Sequence, residues 1–430
     1  MRYLAVKPAN SGWWSSVQGR RRTYAAMAVL LFVMAGLAGA AKAKKFGRPF
    51  DLTMSDGRYY YAHLASVVID GDLDFSNQIR EHWEQEFSQK LSQDRTEIGR
   101  VRNKYPIGLA LTLLPAFWLG HLIALLSGGW IPANGYSWPY QLACLAMVEL
   151  LVWRTLVRVD SLLMERLRVP AGAAQIGLML LTLGTPYTYY AFREPFMVHA
   201  VSAFWCMEAA TAAAMGHRGP RWLWPRLAFA GAMALVCRPS NIHLVPVAAY
   251  GVAEAVRAQG WRRTLATVPL TATAVVPVGL QLLCWRLIFG HWLSYTYGNA
   301  EFYWFRPALW QTLFSSRHGL FFWSPVLLLA VAALWRRARD PLVQYWALGG
   351  VLLWYANSAW HSWWFGDAYG ARGFLELAGL FGIGLGLLFE ALRRVPKLAM
   401  TLVLLVLGFN WILMALYITE RIPRSDYLLP

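Results

Sequence analysis

Apolar residues in this chain come in long blocks rather than in alternation. The blocks run over Tyr24–Ala41 and then at about 106–127, 138–157, 171–190, 195–215, 227–254, 264–289, 319–335, 342–359, 373–391 and 398–418. Most are too long for strands and approach the ~20 residues an α-helix needs to cross a hydrocarbon layer. They predict an all-α polytopic membrane protein of about eleven transmembrane or membrane-embedded segments, with residues 1–430 forming one membrane domain. No separate soluble domain, internal repeat or low-complexity tail interrupts the pattern.

Composition agrees. Of 430 residues, 57% are hydrophobic and only 15% charged, against ~25% charged in soluble domains. With 23 Trp, 20 Tyr and 21 Phe, a soluble enzyme lacks the polar surface to cover so much apolar area, and a disordered chain is excluded as well. The four cysteines, Cys144, Cys206, Cys237 and Cys284, all fall inside apolar blocks. They read as buried free thiols, with neither a disulfide framework nor metal-ligand spacing.

The net charge of +17 changes the picture only through its placement. Basic clusters sit between blocks, at Arg154/Arg158/Arg166/Arg168, Arg218/Arg221/Arg226, Arg257/Arg262/Arg263, Arg336/Arg337/Arg339 and Arg393/Arg394/Lys397. These hold 16 basic residues and the N-terminal stretch adds 5, whereas the 11 in 42–104 are nearly balanced by 10 acids. Short basic loops face the cytoplasm, so the charge orients the chain and does not indicate nucleic acid. Residues 1–23 then form a cytoplasmic tail, 24–41 a retained first span, 42–137 a long outer loop, 138–418 the remaining membrane segments and 419–430 an outer tail. The parity of the path makes 106–127, with Pro115 and His121, an interfacial or re-entrant helix. It also makes 227–254 a broken hairpin whose tip is Arg238-Pro239-Ser240-Asn241.

Polar residues gather in a few stretches that this topology places on one side, the outer side. They are 48–104, Gly184–His199, Arg238–His243, 291–318 and His361–Arg372. A carboxylate close after the first span suits a general base acting on a hydroxyl. Arginines on the same face suit a phosphate leaving group, and aromatic walls suit sugars and isoprenoid tails. The chain has no GxGxxG, Walker loop or HExxH, which argues against nucleotide or zinc-protease chemistry.

Ser55-Asp56-Gly57-Arg58-Tyr59-Tyr60 and Asn103-Lys104-Tyr105-Pro106-Ile107-Gly108, followed by Gly184–His199, Cys237–Asn241 and Trp363–Arg372, together resemble the C-type (GT-C) integral-membrane glycosyltransferases. That group includes the protein O-mannosyltransferases and lipid A aminoarabinose transferases. The resemblance covers most of the chain through short, degenerate motifs. It implies a GT-C-like bundle and inverting transfer of a sugar from a polyprenyl-phosphate donor to a hydroxyl of a lipid, glycan or protein acceptor. Asp56 would be the catalytic base. Arg58, Lys104, Arg193, Glu194, His199, Arg238 and Arg372 would hold donor phosphate or substrate. Tyr59, Tyr60, His361, Trp364 and Asp367 would touch sugar or acceptor. It also implies a bacterial inner membrane, with the N-terminus cytoplasmic and the site periplasmic. A single Pro106 stands where the family has paired prolines, and the chain ends soon after the last span, so the membrane part would recognise the acceptor.

Each assignment has a plainer counterpart. Ser-Asp-Gly is a common turn; Arg193-Glu194 reads equally as an interfacial ion pair, and His199 as a core histidine. Arg372 and Asp367 are near enough in sequence to pair with one another. Trp363, Trp364, Tyr295 and Tyr297 suit an interfacial aromatic belt. Asp70 and Asp72 are the only metal candidates, and no cofactor is expected. Arg238, deep in an apolar block, is costly there and marks function by default. Competing functions are a lipid-linked oligosaccharide ligase or polymerase, which would use a diphosphate-linked donor, and a lipid flippase or transporter, which would carry inverted repeats. Sugar, acceptor and oligomeric state are left open.

Overall fold

The computed structural model describes residues 16–47, 49–83, 93–298 and 300–428. The expected tail is therefore described only from Ser16. Every expected apolar block is helical, and among the described residues there is no strand, only isolated bridges at Arg95–Val101 and Phe302–Trp360. The main helices are α1 (Val17–Phe46), α2 (Gly57–Ala65), α3 (Gly108–Leu126), α4 (Trp138–Ser161), α5 (Ala171–Leu183), α6 (His199–Ala214), α7 (Pro220–Cys237), α8 (Val245–Gln259), α9 (Val275–Phe289), α10 (Pro325–Leu334), α11 (Pro341–Ala359), α12 (Ala378–Leu392) and α13 (Pro396–Ile418).

Local chemistry sets their ends. Ser16 Oγ accepts from the Gly19 amide at the start of α1, and Gly47, at φ 59°, closes its far end in the left-handed region. Asp340 caps α11 by accepting from the amides of Leu342 and Val343, with Pro341 in the first turn. Proline divides several blocks, at Pro186, Pro239 and Pro325, because it forbids the helical bond and pushes its predecessor out of the helical region.

Five helical stretches are long and apolar enough to cross a membrane: Val17–Lys45, Gly108–Leu126, Val268–Phe289, Arg372–Leu392 and Pro396–Ile418. Gly108–Leu126, expected as an interfacial or re-entrant helix, is one continuous helix through Pro115 with the length and composition of a span. Burial separates centre from periphery. Some 78% of the apolar window in Arg372–Leu392 is covered by protein, against 17–33% in the other four, whose outward Leu, Val and Trp side chains remain exposed. Exposed apolar area on that scale has lipid as its natural solvent.

The central helix α12 sits in backbone contact with its neighbours. A methyl group added at Gly386 would press on Leu163, and one at Gly177 would meet the backbone of Gly386 at 2.6 Å. Gly384 lies equally close to the backbone of Ala330. Without a driving force from water, such small-residue contacts are what hold helices together in a bilayer.

Basic residues from three of the sequence stretches pair with acids at the same helix ends. Arg20 donates from Nε to both oxygens of Asp160, at 3.0 and 3.1 Å, and Tyr24 adds a bond of 2.9 Å. Arg158 pairs with Glu208 at 2.8 Å, Arg166 with Asp340 at 3.1 Å, and Arg337 with Glu390 at 3.2 Å. These pairs tie the start of α1 and of α11 to the ends of α4, α6 and α12. Following the same helices to their other ends leads to Asp56, Glu194, His199 and Arg372.

Candidate functional site

Asp56 follows α1 by way of Ser55, a non-glycine residue at φ 47°, a conformation that surrounding structure must enforce. It stands at the N-cap of α2 but does not cap it with its side chain. The carboxylate turns instead to Arg372, whose Nη2 donates to Oδ2 at 3.0 Å. The plain reading of Asp56 as a turn residue therefore describes its backbone and not its side chain. Burial raises the Asp56 carboxyl, but the Arg372 guanidinium, the Tyr105 hydroxyl and Lys104 outweigh it and hold the group below its ordinary value.

A second cluster lies beside the first. Arg238 is extended, with φ −151° and ψ 124°, between α7 and the short 3-10 helix Pro239–Leu244, as a residue before proline must be. Its Nη1 meets Glu376 Oε2 at 2.9 Å, and His199 Nδ1 lies 3.1 Å from Glu376 Oε1. The Glu376 side chain is 0% exposed. Asn241 braces the break, donating from Nδ2 to Ala234 O at 2.8 Å and Ser202 Oγ at 2.7 Å. Gly108 lets the start of α3 approach the Val236–Cys237 backbone, where any Cβ would collide.

Tyrosines join the clusters. The Tyr60 and Tyr105 rings are 4.7 Å apart, Tyr105 and Tyr297 are 6.4 Å apart, and the Lys104 ammonium lies 5.2 and 5.5 Å from the Tyr105 and Tyr297 ring centres. Tyr60 and Tyr297 feel the charges of both Arg238 and Arg372. Burial raises all three phenols, so they remain hydroxyl donors at neutral pH. Glu194 closes the group: it is buried, accepts from Tyr189 Oη at 3.0 Å, and feels Arg372 and Asp56. Burial raises its carboxyl above the usual range, so the two neighbouring carboxyl groups are pushed apart, as in sites that assign them different roles. Arg193 flanks this pair and donates from Nη1 to the Met54 sulfur at 2.7 Å.

The structure thus brings together Asp56, Tyr60, Lys104, Arg193, Glu194, His199, Arg238 and Arg372 of the expected set. Others stand apart. Arg58, two residues along α2 and hence on another face, acts electrostatically on Tyr136. Tyr59 bridges the cluster and its rim: its ring lies 5.3 Å from that of Tyr105 and edge-on to Trp83 at 4.5 Å, and it feels the Asp56 charge. His361 is peripheral, packed on Trp360 at 4.5 Å, which touches Tyr297. Trp364 lies under the Arg317 guanidinium at 3.7 Å. Asp367 is exposed; its expected pairing with Arg372 gives way to Asp56, because Arg372 turns inward and Asp367 outward. Asp70 accepts from Gln78, and Asp72 accepts from Ser66 Oγ at 2.9 Å and the Asp74 amide at 3.0 Å. Among the described residues no group of three or more His, Cys, Asp or Glu is placed to hold a metal ion.

Three participants escaped the sequence reading. Glu376 lies inside the block 373–391, whose other acid, Glu390, stands at its far end, and it carries the same burial argument that singled out Arg238. Tyr105 had no signal beyond its neighbours, and Tyr297, expected in an aromatic belt, lies inside the site. Comparison of the chain with protein-family models, characterised proteins and solved structures returned no match.

Proposed function

We propose that this protein is an integral-membrane glycosyltransferase of GT-C type. It moves a sugar with inversion from a polyprenyl-phosphate donor to a hydroxyl acceptor at the periplasmic side of a bacterial inner membrane. In this reading the bundle has about eleven membrane segments and its basic end lies in the cytoplasm. The observation that carries it is the gathering, at the other end, of four cations, Lys104, Arg193, Arg238 and Arg372, with three carboxylates, Asp56, Glu194 and Glu376, among buried tyrosines. That mixture suits an anionic, sugar-bearing lipid headgroup drawn from the surrounding bilayer.

In the reaction, the acceptor oxygen attacks the anomeric carbon from the face opposite the phosphate. The bond between that carbon and the phosphate oxygen breaks, and the lipid phosphate departs with its negative charge. The acceptor proton passes to Asp56. Lys104 and Arg372 stabilise the departing phosphate, while Arg238 is held in place by Glu376. The test supplies a bacterial lipid extract to purified protein and follows which polyprenyl-phosphate sugar is consumed. The wild-type protein should consume one, and Asp56→Asn, folded and expressed as well, should consume none. Normal consumption by that variant removes Asp56 as the base.

A further inference from the structure

The two ion pairs of the site are not equivalent. Glu376 is 0% exposed and Arg238 16%, whereas in the other pair Asp56 is 27% exposed and Arg372 12%. Arg238 cannot leave Glu376 without stranding a fully buried charge. Arg372 is differently placed. Its Nη2 binds Asp56, while its Nη1 is buried without a hydrogen-bond partner. A buried guanidinium nitrogen lacking an acceptor is a costly arrangement, and a second anion beside it relieves the cost. The Lys104 ammonium, lying over tyrosine rings, is the next cation that Asp56 feels.

Resting on the function proposed above, we infer that Arg372 is an exchangeable clamp. The phosphodiester of an entering donor takes the Arg372 guanidinium bidentately through its two non-bridging oxygens and releases Asp56, so that the base becomes competent only when donor is bound. In the resting state Asp56 is a poor base, because its ion pair holds its proton affinity down. The groups facing it are Arg372, Lys104 and Tyr105, together with Tyr59 and Tyr60 of α2, Tyr297, and Glu194. Once phosphate occupies the guanidinium, only Lys104 and the Tyr105 hydroxyl still lower it. Phosphate and Glu194 raise it, and the carboxylate becomes the stronger proton acceptor. Fork-shaped, two-pronged binding is specific to arginine; a lysine there supplies the charge without the second bond.

The test titrates decyl phosphate, and inorganic phosphate in parallel, into detergent-solubilised protein by calorimetry. Removing the competing carboxylate should tighten phosphate: Asp56→Asn should bind decyl phosphate at least tenfold more strongly than wild type, and Arg372→Lys at least tenfold more weakly. Tightening with decyl phosphate alone assigns the ligand to a lipid; tightening with both assigns it to the phosphate group itself, and either supports the exchange. Unchanged or weaker binding by Asp56→Asn, or unchanged binding by Arg372→Lys, overturns the exchange. If that same Asp56→Asn protein has lost sugar transfer, the function stands without it. Failure of both phosphates to bind any of the three proteins overturns the exchange and the phosphate-linked donor together.

Discussion

Arg372 and Glu376 stand on one 3-10 turn, Arg372–Leu377, and reach to opposite partners, Asp56 and Arg238. A single turn of backbone thus joins the segment after α1, the break after α7 and the start of α6. Charges from four distant parts of the chain meet there because each is costly at that depth unless another is present.

Glu376→Gln should therefore be among the most damaging single changes in this cluster. It leaves Arg238 buried without its counter-charge, a loss of about 3–5 kcal/mol. Thermal unfolding in detergent should show a large drop for Glu376→Gln and a smaller combined loss for Glu376→Gln with Arg238→Gln than the two single losses summed. Strict additivity would show that the two side chains do not interact.

Gly108→Ala should impair activity more than its size suggests. The added methyl meets the Val236–Cys237 backbone and displaces Arg238 next in sequence. Gly172→Ala, where the methyl meets nothing within 4 Å, is the matching control. Equal turnover by the two variants would show that the close approach of α3 to the Arg238 break is immaterial.

Stability should fall on mild acidification through His63. Burial pushes its imidazole down to about 4, against the helping carbonyl of Tyr59, so the folded protein keeps it neutral while the unfolded chain protonates near pH 6.5. The unfolded state then binds the extra proton. Stability is complete above pH 6.5 and declines by about 1.4 kcal/mol per pH unit down to about pH 4, below which both states are protonated. Melting curves between pH 7.5 and 4.5 should show the decline, and His63→Gln should flatten it. An equally steep decline in that variant assigns the effect elsewhere.

The two-ended distribution of charge makes a topological prediction. Asp70, Asp367 and Arg221 are all exposed, and the four native cysteines are buried, so the wild-type background should be silent to an impermeant maleimide. Asp70→Cys and Asp367→Cys should be labelled in intact spheroplasts, and Arg221→Cys only after permeabilisation. Labelling of all three from one side would contradict the proposed orientation.

Much of this was legible beforehand, for physical reasons. Apolar block length exposed the helices, and Pro239 exposed the break that presents Arg238. The position of Asp56 soon after the first span placed it at the site. Pairing was less accessible. Whether Arg372 meets Asp367 or Asp56 depends on which way its turn faces once α12 is packed, and that is decided by contacts remote in sequence. Arg58 follows Asp56 by two residues but lies on another face of α2, because proximity along the chain becomes separation around a helix. The membrane path of 106–127 was inferred from charge parity, which constrains the number of crossings but not the length of the helix that forms.

The glycine contacts of α12 also decide what in this molecule can move. A helix whose backbone touches Gly177 and Ala330 has no slack to slide or rotate, and the Arg372–Leu377 turn is mounted on its head. It behaves as a fixed post. On the proposed function, the wall expected to widen for a substrate is therefore the opposite one, the loop and helix around Asp56, next to Ser55, whose backbone is already held away from its preferred shape.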